Sequence, residues 1–363
     1  MVKINKLDEN NMTSVKFCVH PPMEFLYAMY DTAKEEELYK VYEEFNFTPD
    51  EEMKNIIGEM RGQLSRYNLS ELTYFFYMSE TIGHILPSFI MYNPNVINVE
   101  ELISIIENSD EKLILFYLVK NIINENSIEY RKGFNWNEAR DDIPKMIQLV
   151  KDTDINNIDI KEKLLECLDN PIETKQRYCM MIRSFYERAF KPIEEEVLEK
   201  LQSIKQKYER AFMENPEGFF KSYFKMEVIR CQIHVSYFKY TAWFSYPAED
   251  IDTIGWIVLG IHSDKVFGKD AIRERVNKFF WILSDKKRLN MIDLLVERPW
   301  YGHEMAQKLK LTPATVSYHM SFLLELDIVT FQRDENRLYY SLNKNKVEEL
   351  FEQAKRALLH RGF

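Results

Sequence analysis

Glycine is scarce in this chain, with 10 residues in 363. Phosphate cradles and nucleophile elbows need glycines at fixed spacing, because only a missing Cβ lets backbone amides close on a phosphate or tolerate so tight a turn. No GxxxxGK[ST], GxGxxG or GxSxG pattern occurs, so nucleotide-binding loops and α/β-hydrolase chemistry drop out. Cysteine is sparser still. Cys18, Cys167, Cys179 and Cys231 lie far apart and lack paired ligand spacing, so neither a disulfide framework nor a thiolate metal site is expected, and the natural compartment is a reducing cytoplasm. No run approaches the ~20 uninterrupted apolar residues that span a bilayer, and the charged start of the chain has no signal-peptide core, so no membrane partner is expected. Positive charge is also in deficit, with 48 Lys+Arg against 58 Asp+Glu and a net charge of −10.

That deficit is unevenly spread. Residues 269–363 carry 17 Lys+Arg against 13 Asp+Glu, a balance of +4, which leaves −14 on residues 1–268. A modestly basic end on an acidic body suits a chain that meets a polyanion at one end only. Hydrophobic content of 45%, with 14% aromatic, is ample for two or three packed domains.

The expected fold class is mainly α with minor β: residues 1–268 form a helical sensing or assembly region with a small sheet, and residues 269–363 a separate C-terminal domain. Helix starts are signalled at Thr48-Pro49-Asp50-Glu51, Ser70-Glu71, Ser109-Asp110-Glu111 and Asp159-Ile160-Lys161-Glu162. Pro171 to Glu214 is an extended helical stretch that Pro192 should kink or interrupt. Texture changes near Val228: Val228 to Tyr237 partly alternates and Ile254 to Ile261 is almost wholly apolar, which predicts strands, joined by Ser14 to Val19. A connection near His262 to Asp270 leads into the C-terminal domain.

In that domain, Tyr301 to Leu309 predicts a short helix, Lys310-Leu311 a turn, and Thr312-Pro313 the start of a second helix. Thr312 suits the N-cap and Pro313 the first helical position, where its missing donor is no loss. Val316, Met320, Leu323 and Leu324 give the second helix its buried face, leaving Ala314, Thr315, Ser317, Tyr318 and His319 for the others. Small and hydrogen-bonding residues at an exposed helix start are what entry into a major groove requires. Val329, Phe331, Leu338, Tyr340 and Leu342 then alternate with polar residues around an Asp334-Glu335-Asn336 tip, a hairpin flanked by Arg333 and Arg337.

From Arg273 to Leu359 the chain resembles the winged-helix domain of ArsR-type bacterial transcription regulators. Leu283-Ser284-Asp285-Lys286-Lys287-Arg288-Leu289, Thr315 to Met320, Leu323 to Val329 and Arg337 to Leu342 carry the resemblance. Asp327 and Asn336 stand where that family usually has glycine, and both tolerate a left-handed backbone. The segment Val15 to Leu26 is similar to the strand-then-helix opening of some long regulators of this type and implies no ligand. The resemblance implies a sequence-specific regulator of double-stranded DNA, a repressor acting as a homodimer, controlled by a small-molecule or protein effector at the N-terminal region. Thr312, Ala314, Thr315, Ser317, Tyr318 and His319 would meet DNA from the recognition helix, Arg333, Asn336 and Arg337 from the wing, and Lys308 and Lys310 from the turn before the helix. The dimer interface would pair the helix around Ile272 to Phe280 with a last helix whose stripe is Val347, Leu350, Phe351, Ala354, Leu358 and Leu359.

The metal ligands common in that family, cysteines before the recognition helix or Asp/His pairs on the last helix, are missing: Gly302 to Leu309 has no cysteine, and Lys346 to Leu359 offers Glu348, Glu349 and Glu352 with only His360 beyond. Cys231 with His234, and Glu80 with His84, are two-residue pairs that cannot close a site. No metal or other cofactor is expected, and no enzymatic activity. The clusters Tyr74 to Tyr77 and Tyr237 to Tyr246 read more readily as core than as a ligand pocket. A winged helix used for protein assembly is the alternative to the DNA reading.

Overall fold

The structure is a computed structural model and describes residues 15–44, 51–78, 85–127, 134–155, 157–224, 230–239, 243–246, 255–334 and 337–359. The chain divides into two compact units, residues 1–210 with 229–261, and residues 211–228 with 262–363.

In the first unit, strand β1 (Val15–Cys18) leads into α1 (Pro21–Ala33), followed by α2 (Glu35–Glu44), α3 (Glu51–Gly62), α4 (Arg66–Tyr77), α5 (Leu86–Tyr92), α6 (Val99–Asn108), α7 (Glu111–Asn126), α8 (Ile143–Asp152), α9 (Ile158–Asp169) and α10 (Pro171–Phe185). A π turn (Tyr186–Phe190) joins α10 to α11 (Lys191–Glu214), which ends in the second unit. Strands β2 (Cys231–Ser236), β3 (Trp243–Tyr246) and β4 (Gly255–Gly260) return to the first unit.

Several helix starts lie where their side chains can cap them. Asp110 accepts the Lys112 N–H at 2.8 Å, as the Ser109-Asp110 signal predicts. Two starts differ from expectation: α4 opens at Ser65, which accepts the Asn68 N–H at 3.1 Å, rather than at Ser70, and α9 is capped by Asn157 rather than Asp159. In both, the true cap lies upstream and the expected residue is already helical. The capping signal at Thr48 to Asp50 and the Glu80/His84 pair lie outside the described residues. Pro192 shows its effect one turn upstream. A proline ring collides with the carbonyl four residues before it, here Arg188, and the helix widens into the π turn, where the Lys191 N–H bonds the Tyr186 carbonyl.

Strand order is β1-β2-β4-β3; β1, β2 and β4 are parallel and β3 pairs antiparallel with β4. Val15 lies opposite Cys231 and Cys231 opposite Gly255. Every residue of β4 is buried, as expected for a parallel strand covered on both faces. Helix α1 packs against α3, α4, α5, α6 and β2 and is the axis of the unit; Phe25 sits among Phe185, Tyr186 and Phe190 with ring centroids 5.4–5.8 Å away.

An axial helix so deeply buried also buries its acids. Glu24 Oε1 accepts the Tyr237 N–H at 2.7 Å and the Phe238 N–H at 3.2 Å, while Oε2 lies 3.0 Å from His234 Nε2. His234 Nδ1 accepts the His20 N–H at 3.1 Å, so the ring proton sits on Nε2 and faces Glu24. His234 is therefore a positioned structural group, and Cys231, three residues earlier, faces the other side of β2. Phe75 and Phe76 are core, as are Tyr237 and Phe238.

In the second unit, α12 (Pro216–Tyr223) and the short α13 (Asp264–Phe267) precede α14 (Lys269–Leu283), α15 (Lys286–Glu297), β5 (Trp300–Tyr301), α16 (Gly302–Leu309), α17 (Pro313–Glu325), β6 (Val329–Asp334), β7 (Arg337–Leu342) and α18 (Lys344–Leu359). The expected connection at 262–270 is thus partly helical. Strands β5, β7 and β6 form an antiparallel sheet in that order. Its core gathers Phe279, Ile282, Met291, Met305, Met320 and Leu350, each fully buried.

Candidate nucleic-acid interface

The turn between α16 and α17 is built without glycine. Lys310 takes a left-handed backbone with φ 56°, the Lys310 N–H bonds the Gln307 carbonyl at 3.3 Å, and the Leu311 N–H bonds the Ala306 carbonyl at 2.9 Å. These two bonds satisfy carbonyls that the helix end leaves open. Thr312 then caps α17 by accepting the Thr315 N–H at 3.1 Å, and the two threonine hydroxyls share a hydrogen bond at 2.8 Å. The end of α17 repeats the device: Asp327 has φ 54°, and the Asp327 and Ile328 N–H groups bond the Leu324 and Leu323 carbonyls at 2.9 Å. The left-handed conformation expected at Asp327 is present.

Helix α17 buries Val316, Met320 and Leu323 and leaves Thr312, Ala314, Ser317 and Tyr318 exposed, with Thr315 half-buried. Tyr318 is 61% exposed, its ring edge-on to Phe322 at 5.0 Å. Lys308 and Lys310 are exposed beside the helix start.

His319 is a correction. Expected on the open surface, it is only 6% exposed and belongs to the inner face. Its Nδ1 has no hydrogen-bond partner among the described residues, and the nearest carboxylate oxygen, Asp285 Oδ1, is 3.9 Å away. Burial pulls its pKa below the ordinary histidine value, with Asp285 opposing. The expectation failed because His319 precedes Met320 by one residue, and the inner face is wide enough to include it.

The segment Asp285 to Arg288 proves to be a helix joint. Asp285 caps α15 by accepting the Lys287 and Arg288 N–H groups at 2.8 and 3.1 Å. Buried Arg288 donates Nε to the Ile282 carbonyl at 2.7 Å and Nη2 to the Trp281 carbonyl at 2.9 Å, closing the end of α14. The sequence pattern gives Arg288 no role of its own beside Lys286 and Lys287, which stay exposed.

In the wing, β6 and β7 pair with Arg333 opposite Leu338 and Asp334 opposite Arg337. The strands expected to carry the two arginines are in place; the side chains of Arg333 and Arg337, and all of Asn336, lie outside the described residues, as does His360. Helices α14 and α18 pack together through Phe279 and Phe351, ring centroids 5.0 Å apart. The expected stripe on α18 divides: Leu350 and Ala354 turn inward, whereas Phe351 (52%), Leu358 (69%) and Leu359 (70%) are exposed.

The capped helix with its open polar start, and the turn before it, lie in a stretch that matches a known family. Residues 285–330 match the bacterial regulatory proteins of the arsR family. The arsenical resistance operon repressor of Staphylococcus aureus is 30% identical over 71 residues, covering 20% of this chain and 68% of that protein. A cadmium resistance transcriptional regulatory protein CadC homolog of the same organism is 32% identical over 100 residues, covering 26% and 83%. The chain belongs to the ArsR family. It is a DNA-binding transcription regulator with the family's winged helix-turn-helix at its C-terminal end. A crystal structure of NolR from Sinorhizobium fredii is similar at 26% identity over 25% of this chain and 90% of that one, with a TM-score of 0.22. These ArsR likenesses leave the long N-terminal region uncovered. Among the described residues, no group of three or more His, Cys, Asp or Glu side chains is placed to hold a metal ion, and no helix is long and apolar enough to cross a membrane.

Proposed function

We propose that this ArsR-family chain is a cytoplasmic repressor that binds its operator as a homodimer under the control of an effector or partner of the N-terminal unit. The observation that carries the reading is the asymmetry of α17: its inner face is sealed by Val316, His319, Met320 and Leu323, while Thr312, Ala314, Ser317 and Tyr318 stay open at its N-terminal half. In this reading α17 enters a major groove, Ser317 and Tyr318 meet base edges, and Ala314 and Thr315 allow close approach. Lys308, Lys310, Arg333 and Arg337 hold phosphates, and Asn336 meets DNA with them. The exposed Phe351, Leu358 and Leu359 support a dimer through α14 and α18, and repression follows from occupying DNA that polymerase needs.

The test is fluorescence-anisotropy titration of the full chain on DNA from upstream of its own gene and on a shuffled control, at about 100 and 200 mM salt. A salt-sensitive preference for the upstream DNA is expected. Equal binding to both, or none, would favour the protein-assembly reading.

A further inference from the structure

Lys239 follows the end of β2 and is almost wholly buried, at 4% exposure. Its ammonium lies 3.1 Å from Asp31 Oδ1, 4.8 Å from the ring centroid of Tyr27 and 4.2 Å from that of Tyr30. Its backbone N–H donates to Ser236 Oγ at 3.3 Å. A carboxylate and two aromatic rings around one ammonium are the chemistry of a cation cage, in which ring quadrupoles and a counter-charge together replace water. Folding does not require a charge here, because a buried ion pair is often matched or bettered by apolar side chains of the same volume.

Two further observations mark the cage as a binding site rather than a pair of matched charges. Asp31 Oδ2 is buried and has no hydrogen-bond partner among the described residues, so the carboxylate keeps acceptor capacity that Lys239 does not use. Tyr30 is only half-buried, and a second ammonium, that of Lys34, lies 5.9 Å from its ring centroid while paired with Glu37 at 3.2 Å. Two ammonium groups therefore lie within 5.9 Å of this ring's centroid.

We propose that Tyr27, Tyr30 and Asp31 form a binding site for a linear primary alkylammonium, with Lys239 as its resident occupant, and that a free alkylamine entering past Tyr30 displaces the Lys239 side chain. The chemistry is matched in length as well as charge: the space Lys239 fills is that of four methylenes and an ammonium. Displacement costs the site no charge, since one cation leaves as another arrives, and it frees the turn at Ser236 to Lys239. Only the regulatory consequence of this rests on the proposed sensing role of the N-terminal unit; the binding itself is independent of DNA.

Hydrogen exchange of the unaltered full chain, followed by mass spectrometry on peptides spanning residues 231–239, tests displacement directly. With n-butylammonium at ten times its apparent dissociation constant, exchange at the Lys239 amide should quicken by at least about tenfold. Neither n-butanol nor sodium chloride at equal ionic strength should reproduce it. No amine-specific change at millimolar concentrations overturns the proposal. The vacated cage gives a second readout: the melting temperature of Lys239→Ala should rise with n-butylammonium and not with n-butanol, and the rise should vanish in Lys239→Ala/Asp31→Asn. An equal rise with n-butanol means that an apolar hole has been filled, and the proposal fails. If Lys239→Ala does not fold, the exchange result on the unaltered chain decides.

Discussion

His319 Nδ1 and Asp285 Oδ1 lie 3.9 Å apart, joining the recognition helix α17 to the N-cap of α15. The separation is too long for a hydrogen bond and the ring is buried, so neutral His319 serves packing between two helices rather than base recognition. Burial lowers its pKa in the folded state. Below the unfolded value of about 6.5 the unfolded chain therefore takes up a proton that the folded unit resists, so stability present above that pH is lost as pH falls. His319→Ala should cost on the order of 1–3 kcal/mol of stability and remove this acid sensitivity. Ser317 and Tyr318 variants should instead change preference among single-base variants of the bound DNA. Thermal melts from pH 5 to 8 beside anisotropy on such a panel separate the two. A base preference that shifts in His319→Ala at unchanged stability would contradict the packing role.

Lys310 and Asp327 share a left-handed backbone but differ in charge and place, which allows strain and DNA contact to be measured apart. Replacing either by glycine relieves the conformation and should raise stability by roughly 0.5–1 kcal/mol. Lys310→Gly also removes a cation beside the start of α17, so its DNA affinity should fall and its salt dependence flatten by about one unit, while Asp327→Gly should leave the salt slope unchanged. Equal slopes for the two variants would place Lys310 away from the phosphates.

Arg333→Ala addresses the wing. Arg333 sits at the end of β6, opposite Leu338 and one residue from the Asp334 and Arg337 pair that closes the described hairpin. Binding should weaken to a similar degree on specific and shuffled DNA, with the slope of log affinity against log salt reduced by about one. A loss confined to the specific sequence would make Arg333 a reader of bases or groove shape instead.

The winged helix was legible in the sequence because its determinants are local: Thr312 and Pro313 start a helix by their own chemistry, and Val329 to Leu342 alternates with the period of a half-buried strand. The small sheet was legible in composition, since Ile254 to Ile261 could only be buried. Its parallel order was not, because pairing Val15 with Cys231 is a long-range choice. The same limit hid Lys239, which looks like a surface base until the distant Asp31 carboxylate is placed beside it. His319 failed for a narrower reason: helical periodicity locates the centre of an inner face and not its edge.

Exposed Phe351, Leu358 and Leu359 bear on assembly. Leu358→Glu with Leu359→Glu places charges on side chains that are 69% and 70% exposed, so the fold of a single copy should be little affected. Charge on an apolar contact between copies is costly. Sedimentation should show the variant as monomer at micromolar concentrations where the parent is dimeric, and its DNA affinity should drop because two half-sites are no longer engaged together. A monomeric parent, or a variant that remains dimeric, would remove α18 from the interface.

Glu24 gives the sharpest test of the N-terminal core, because replacing one oxygen by an amide group cannot be accommodated there. The Tyr237 and Phe238 N–H groups both point at Oε1, and His234 must donate to Oε2 because its Nδ1 already accepts the His20 N–H. The carboxylate thus faces three donors and no acceptor. In Glu24→Gln one side-chain end becomes a donor, and either orientation sets it against another donor; rotating the proton of His234 to Nδ1 only moves the conflict to His20. An isosteric change should therefore cost on the order of 1–3 kcal/mol through an unmatched buried group. Chemical denaturation of the full chain measures it, and the His234 ring nitrogen shifts report the tautomer. If Glu24→Gln is as stable as the parent with His234 still protonated at Nε2, the donor count at Glu24 is wrong.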